Sequence, residues 1–196
     1  MARCGRNAKT RPAGVTGAPA GSADVHSGLR GGLHSGVGLN TTVIYLQGLT
    51  PAEAVATVTE AEPLGRTVHA DEAMSSLPDD LLYAAATGDW VQLWIPSIDI
   101  AGTYDPGDLT AMRVLLGSVS GVYALTYSAY GEVIRDFIYM DGELFREEGD
   151  PLPIETTLAM PKGGPDEDHM WAIVGAVTGT RLDFDLPYET YRVLPS

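Results

Sequence analysis

The amino-acid composition changes abruptly near residue 40, and this change limits which part of the chain can fold into a compact domain. Residues 1–40 contain five Lys or Arg residues and one acid, whereas residues 41–196 contain seven basic and twenty-five acidic residues. The first segment has nine glycines and no aromatic residue, so it cannot bury enough apolar surface to offset its ordering entropy. We therefore predict a disordered, basic, Gly-rich leader over residues 1–40 and a single domain over residues 41–196. The alternative is that translation starts downstream of the leader.

The acidic composition restricts the classes of partner and compartment. The sequence pI is about 4.4, so the domain repels nucleic-acid phosphates and anionic membranes at long range and attracts basic proteins. No apolar run reaches the ~18 residues of a membrane span, and the single cysteine, Cys4, allows no intrachain disulfide. We expect a soluble, cytoplasmic protein that has a basic protein partner, binds neither nucleic acid nor membrane and holds no cofactor. The sequence leaves the oligomeric state open.

The first half of the domain contains clear helix and hairpin signals. Residues 42–47 are rich in β-branched and aromatic types, which predicts a strand. Thr50, Pro51 and Glu53 form a capping-box pattern, which predicts a helix from Pro51 to about Glu60. Residues 81–86 and 90–95 flank a Gly-containing turn and predict a hairpin.

The second half contains a run of strand and turn signals between two helix signals. Asp108 as N-cap and Gly117 as stop predict a helix over residues 108–116. A three-stranded meander and a capped helix follow, and a last edge strand closes the chain. These segments are the strands 119–127, 132–140 and 143–147, the helix 169–178 with Asp166 or Asp168 as its cap, and the edge strand 188–194. Short turns between successive strands predict an α+β fold, with an antiparallel, meander-containing sheet and about three helices packed on it.

Two groups of residues are candidates for partner binding. The acids of the last meander strand and its exit could steer a basic partner, or they could simply solvate a hairpin end. Trp90 and Trp94 share one face of their strand by the two-residue period, and they could line a ligand pocket or fill the core. The residues predicted to bind are Glu143, Glu147, Glu148, Asp150 and Trp94.

Two further groups could carry chemistry. Asp136 interrupts a strand face formed by apolar residues, and a buried acid of this kind can act in catalysis. An edge position, or an ion pair with an arginine such as Arg113, would explain it equally. Asp166, Asp168 and His169 form the densest set of oxygen and nitrogen ligands for a divalent metal. Acids at a helix N-terminus are also favoured by the helix dipole alone.

Short motifs suggest two family resemblances. LTPAEA at 49–54, GDWV at 88–91, GEVIR at 131–135 and TGTRL at 178–182 resemble, in this order, a family of uncharacterised actinobacterial α+β domains. Tyr127 or Tyr130 followed by Gly131 and Arg135, with the PLPIE stretch at 151–155, is faintly similar to the SUKH superfamily. The second resemblance implies an α+β immunity protein that neutralises a secreted toxin.

These observations favour a non-enzymatic protein-binding domain with an acidic docking surface, of the immunity or antitoxin type. One alternative is a carboxylate-based enzyme, dependent on a divalent metal, built around Asp136 or residues 166–169. Another is a structural component of a phage or of the host. No nucleotide-binding, hydrolase or zinc-protease motif occurs in the sequence to support a particular reaction.

Overall fold

The computed structural model describes residues 40–75, 80–95, 104–181, 183 and 185–195, so the predicted leader lies outside the described residues. These residues form nine strands and three helices. The strands are β1 (Asn40–Gln47), β2 (Ala61–Val68), β3 (Leu81–Thr87), β4 (Trp90–Ile95), β5 (Ala111–Gly117), β6 (Val122–Ala129), β7 (Glu132–Met140), β8 (Glu143–Glu148) and β9 (Tyr188–Val193). The helices are α1 (Pro51–Val58), α2 (Ala70–Ser75) and α3 (Glu167–Thr178).

All nine strands join one antiparallel sheet in the order β2-β9-β3-β4-β1-β5-β6-β7-β8. Alternate residues along each strand point to opposite faces, so the sheet builds two apolar layers. Val43 and Tyr45 of β1 join the layer that contains α2 and α3, whereas Ile44 and Leu46 join the layer that contains α1. The structure confirms the predicted fold class: an antiparallel, meander-containing sheet with three helices packed on it.

Helix α1 begins at its predicted capping box but ends at Val58, two residues before the predicted Glu60, whereas α3 has both of its predicted caps, Asp166 and Gly179. Thr50 accepts a hydrogen bond from the Glu53 amide, and the Glu53 carboxylate reaches back to the Thr50 amide. Asp166, one of the two predicted caps, accepts from the His169 amide at 2.8 Å. Gly179 ends α3 with φ at +69°, a left-handed conformation that glycine adopts without steric cost. Strong local signals therefore sufficed at these helix ends.

The helix predicted over residues 108–116 is wrong, because this segment contains β5. Both edges of β5 are hydrogen-bonded, one to β1 and the other to β6. Met112, Val114 and Leu116 are fully buried on one face, and the residues between them are only partly buried at positions 113 and 115. Pairing with the distant strand β1 on one side and with the following strand β6 on the other thus outweighs the local N-cap signal of Asp108.

The last strand, β9, forms as predicted but does not lie at an edge. It pairs with β2 on one side and with β3 on the other. The edge position falls to β2, which contains Pro63 and a register shift between Pro63 and Thr67. A proline and a bulge both discourage further strand pairing, so this edge is poorly suited to bind another strand. The opposite edge of the sheet is β8.

Candidate functional site

Strand β8 closes the predicted meander, and within the described part of the chain no strand pairs with its outer edge. All six of its residues are exposed, whereas β4 in the middle of the sheet is buried throughout. An edge strand presents unpaired backbone N–H and C=O groups that can accept another strand. The acids proposed for partner binding therefore lie on and directly after an open strand, at Glu143, Glu147, Glu148 and Asp150.

Ion pairs divide these four acids into two kinds. Glu147 lies 2.8 Å from a guanidinium nitrogen of Arg135, and Glu148 lies 3.4 Å from one of Arg146. Glu143 and Asp150 are exposed and form no ion pair with any residue that the structure describes. Glu143 and Asp150 are thus the acids whose full charge faces a partner, while Glu147 also has a structural role.

Arg135 of β7 is a buried cation that the sequence analysis named only as a motif residue, with no role in the site. Its side chain is 4% exposed, and its Nε and Nη2 atoms donate to the two carboxylate oxygens of Glu155 at 2.8–3.2 Å. Nη1 donates to the Gly149 carbonyl at 3.1 Å. Burial lowers the pKa of Arg135, but hydrogen bonds to Glu155 and Glu147 outweigh it and the pKa is raised. The guanidinium therefore clamps the segment after β8 onto the sheet.

Gly149 allows this segment to turn back onto β7. Its φ is +78°, and a Cβ atom there would overlap the carbonyl oxygen of Ile134. The Glu155 carboxylate, which binds Arg135, also accepts a hydrogen bond from the Leu152 amide at 2.9 Å. The chain from 149 to 155 is consequently held against β7 by the hydrogen bonds of Arg135.

A cavity of about 250 Å³ lies between this segment, strands β7 and β8, and the start of α3. Its inner residues are buried: Phe137, Ile173 and His169 are 2%, 1% and 7% exposed. Its outer residues are open to solvent, with Met160 48% exposed. Carboxylates of Glu147 and Glu155 and the guanidinium of Arg135 also line it.

The cavity is electrostatically negative. Two carboxylates, those of Glu147 and Glu155, and one guanidinium line it, so its acids outnumber its arginine by one. These charges also affect the pKa of Tyr139, whose phenol lines the cavity. Burial raises the pKa of Tyr139, the charges of Glu147 and Glu155 raise it further, and Arg135 lowers it.

Asp136 lies on the other face of the sheet and is explained by its ion pair. Its Oδ1 accepts from the Thr126 hydroxyl at 2.8 Å, and its Oδ2 lies 3.1 Å from Arg146 Nε. The ion-pair alternative was therefore correct in kind, but the partner is Arg146, while Arg113 donates to Thr126. Because β7 is paired on both sides, the edge alternative is wrong.

The candidate metal ligands do not converge. Asp166 caps α3, Asp168 is exposed in its first turn, and the His169 side chain lines the cavity. Within the described part of the chain, no group of three or more His, Cys, Asp or Glu side chains is arranged to hold a metal ion. The capping interpretation accounts for Asp166 directly.

Trp94 belongs to the core and not to the β8 surface. It is 1% exposed, and its Nε1 donates to the Tyr188 hydroxyl at 3.2 Å. That hydroxyl donates to Gln92, whose amide donates to Tyr45. The tryptophan–glutamine face predicted for β4 therefore forms a buried hydrogen-bond network, and Trp94 cannot contact a partner docked on β8.

Sequence reasoning named Arg135 and Glu155 only as members of short motifs and of the acidic stretch after β8, and it missed their ion pair and the cavity because both depend on long-range placement. The sequence did contain one signal for this site. Arg135 stands two residues before Phe137 in a strand, and a period of two places both side chains on the same face of the sheet. The exposed Ile134 and Met140 obscured it, since they made the opposite face appear to be the apolar one.

Comparison of the chain with protein-family models, curated proteins and solved structures gives no match in any of the three. The two family resemblances inferred from short motifs therefore stay predictions. Among the described helices, none has the length and apolar content needed to cross a bilayer.

Proposed function

We propose that residues 41–196 form a non-enzymatic protein-binding domain that docks a basic partner along β8. The observation that carries this proposal is the edge strand β8 with two exposed acids, Glu143 on the strand and Asp150 directly after it, which no described cation neutralises. A potential of this sign attracts a basic surface before contact and orients it during the encounter. The rest of the domain adds to the same field, since the chain carries a net charge of −14.

Apolar side chains next to the acids supply contact area for the docked state. Phe145 is 72% exposed and Leu144 is 45% exposed, and Val133 on the neighbouring strand is 48% exposed. Aromatic residues at the centre of an interface contribute most of its stability, while a charged rim mainly sets the association rate. We therefore assign Phe145 the role of anchor and the acids the role of steering.

The proposal extends to a secreted toxin as the partner, which is what the SUKH resemblance implies. An immunity protein of this type would cover the basic surface of the toxin with β8 and its acids. The competing explanation is that charges on β8 only prevent unwanted edge-to-edge pairing of sheets, a common device in natural proteins. The two explanations differ in whether a basic partner loses affinity when the acids are reversed.

The test uses the full chain in three forms: wild type, Glu143→Lys/Asp150→Lys, and the control Asp89→Lys/Glu60→Lys. Asp89 lies in the β3–β4 turn and Glu60 follows α1, and both are exposed. The two double variants change the net charge equally but at different places on the domain. Glu147 is left intact because its reversal would also disturb the buried Arg135.

We expect the β8 variant to associate with the basic partner at least tenfold more slowly than wild type at low salt. Its rate should also depend less on ionic strength, because fewer charges are screened. The association rate of the control variant should fall much less. Equal rates for the two double variants would show that only net charge matters and would reject β8 as the docking site.

A further inference from the structure

The cavity beside β8 has the size and the lining of a site for one long cationic side chain. Its volume of about 250 Å³ lies below the range of roughly 300–1,000 Å³ that is typical of pockets for drug-sized ligands. The floor is apolar, with Phe137 and Ile173 almost fully buried, and the rim carries Glu147 and Met160. A lysine or arginine side chain has an apolar stem and a charged end, and these match the apolar floor and the acidic rim of the cavity.

The charge and hydrogen-bonding groups of the cavity favour a cation. Its carboxylates outnumber its guanidinium by one, and the Glu147 side chain is 41% exposed although it is paired with Arg135. His169 is 7% exposed and lines the cavity, and its side chain has no hydrogen bond to any residue that the structure describes. The polar edge of its imidazole is therefore available to a group that enters the cavity.

Aromatic rings complete this environment. Phe137 already stacks against Arg135, whose guanidinium carbon lies 5.3 Å from the ring centroid. Tyr139 packs edge-on against Phe137 with their centroids 5.7 Å apart, and it lies opposite Leu144 of β8 in the sheet register. The faces of such rings attract cations electrostatically.

From these observations we propose that the cavity receives a lysine or arginine side chain of the basic partner, as the anchoring residue of the docked complex. This inference rests on the proposed function and names the group that the partner inserts. The acids of β8 steer the partner, and the cavity retains it. The first effect governs the association rate, and the second governs the dissociation rate.

The direct test titrates the full chain with Nα-acetyl-arginine amide and Nα-acetyl-lysine amide. Nα-acetyl-norleucine amide is the uncharged control of similar length. Binding is followed by the NMR signals of the His169 ring and the Ile173 methyl groups. Both residues line the cavity and lie on successive turns of α3. We expect both signals to shift with the cationic probes at no more than one tenth of the concentration that norleucine amide requires.

The variant Met160→Lys places an ammonium group at the rim, and Met160→Leu is its apolar control. Met160 is 48% exposed, so neither change removes a core contact, and thermal melting verifies that both variants fold. We expect Met160→Lys to weaken probe binding at least tenfold and to speed dissociation of the partner similarly. Met160→Leu should behave like wild type.

The outcomes separate this inference from the proposed function. If norleucine amide binds as well as the cationic probes, or if Met160→Lys binds them unchanged, the cavity is not a cation site. In that case the β8 charge variants can still slow association, and the proposed function stands without the anchor. If the probes bind as expected but β8 reversal leaves partner association unchanged, the cavity assignment stands and β8 docking is rejected.

Discussion

Replacing Arg135 by Met should destabilise the domain severely, because it leaves a buried carboxylate without its cation. The Arg135 side chain is 4% exposed and that of Glu155 is 13% exposed, with contacts as short as 2.8 Å between them. Removing one partner of a buried ion pair costs about 3–5 kcal/mol. For a domain of this size each kcal/mol lowers the melting temperature by roughly 2–4 °C, so a fall of about 6–20 °C follows.

The assay is chemical denaturation of wild type, Arg135→Met, Glu155→Gln and the double variant. Glutamine retains an oxygen that can accept the Leu152 amide, which Glu155 accepts at 2.9 Å, so the cycle isolates the bond to Arg135. The double variant should lose less unfolding free energy than the two single variants lose together, and the difference should be about 1–3 kcal/mol. If Arg135→Met lowers the free energy of unfolding by less than about 1 kcal/mol, the reasoning is refuted, because an ion pair exposed on the surface contributes no more than that.

Two further predictions concern the backbone turn and the buried tyrosines. Gly149→Ala should lower the free energy of unfolding by more than about 1 kcal/mol, because its Cβ meets the Ile134 carbonyl at a φ of +78°. Gly88→Ala, with φ at +61° and no atom within 4 Å, is the control for backbone strain alone, and equal losses would refute the clash. Burial raises the pKa of Tyr188 from 10.0 to about 12, so the stabilisation from its neutral phenol is complete below pH 10 and is lost as the pH rises to about 12. Denaturation at a series of alkaline pH values should show this loss, and it should be smaller in Tyr188→Phe; an equal loss in the variant would contradict the assignment.

Local signals were sufficient to predict most of the meander, the start of α1 and both ends of α3. The short turn expected between the strands 132–140 and 143–147 is formed by Asp141 and Gly142, with φ positive at both residues. These elements depend on residues close together in the chain, so the sequence contains nearly all the information needed. The same applies to the capping boundary at Asp166.

The failures occurred where distant segments decide the structure. Residues 108–116 carry a helix cap, but β1 and β6 bind both edges of β5. Strand β9 ends the described chain and resembles an edge strand, yet it is inserted between β2 and β3. The ion pair of Arg135 was not predicted because its partner, Glu155, is brought to it only by the turn at Gly149. Charge patterns predicted where β8 would be acidic, but not which acids the fold would neutralise.

The most direct measurement compares capture from a lysate of the native host by the full chain, by Glu143→Lys/Asp150→Lys and by the control Asp89→Lys/Glu60→Lys. If β8 docks a basic partner, wild type and control should retain the same basic protein, released by moderate salt, and the β8 variant should retain little of it. Retention of that protein to the same extent by all three forms would contradict docking at β8.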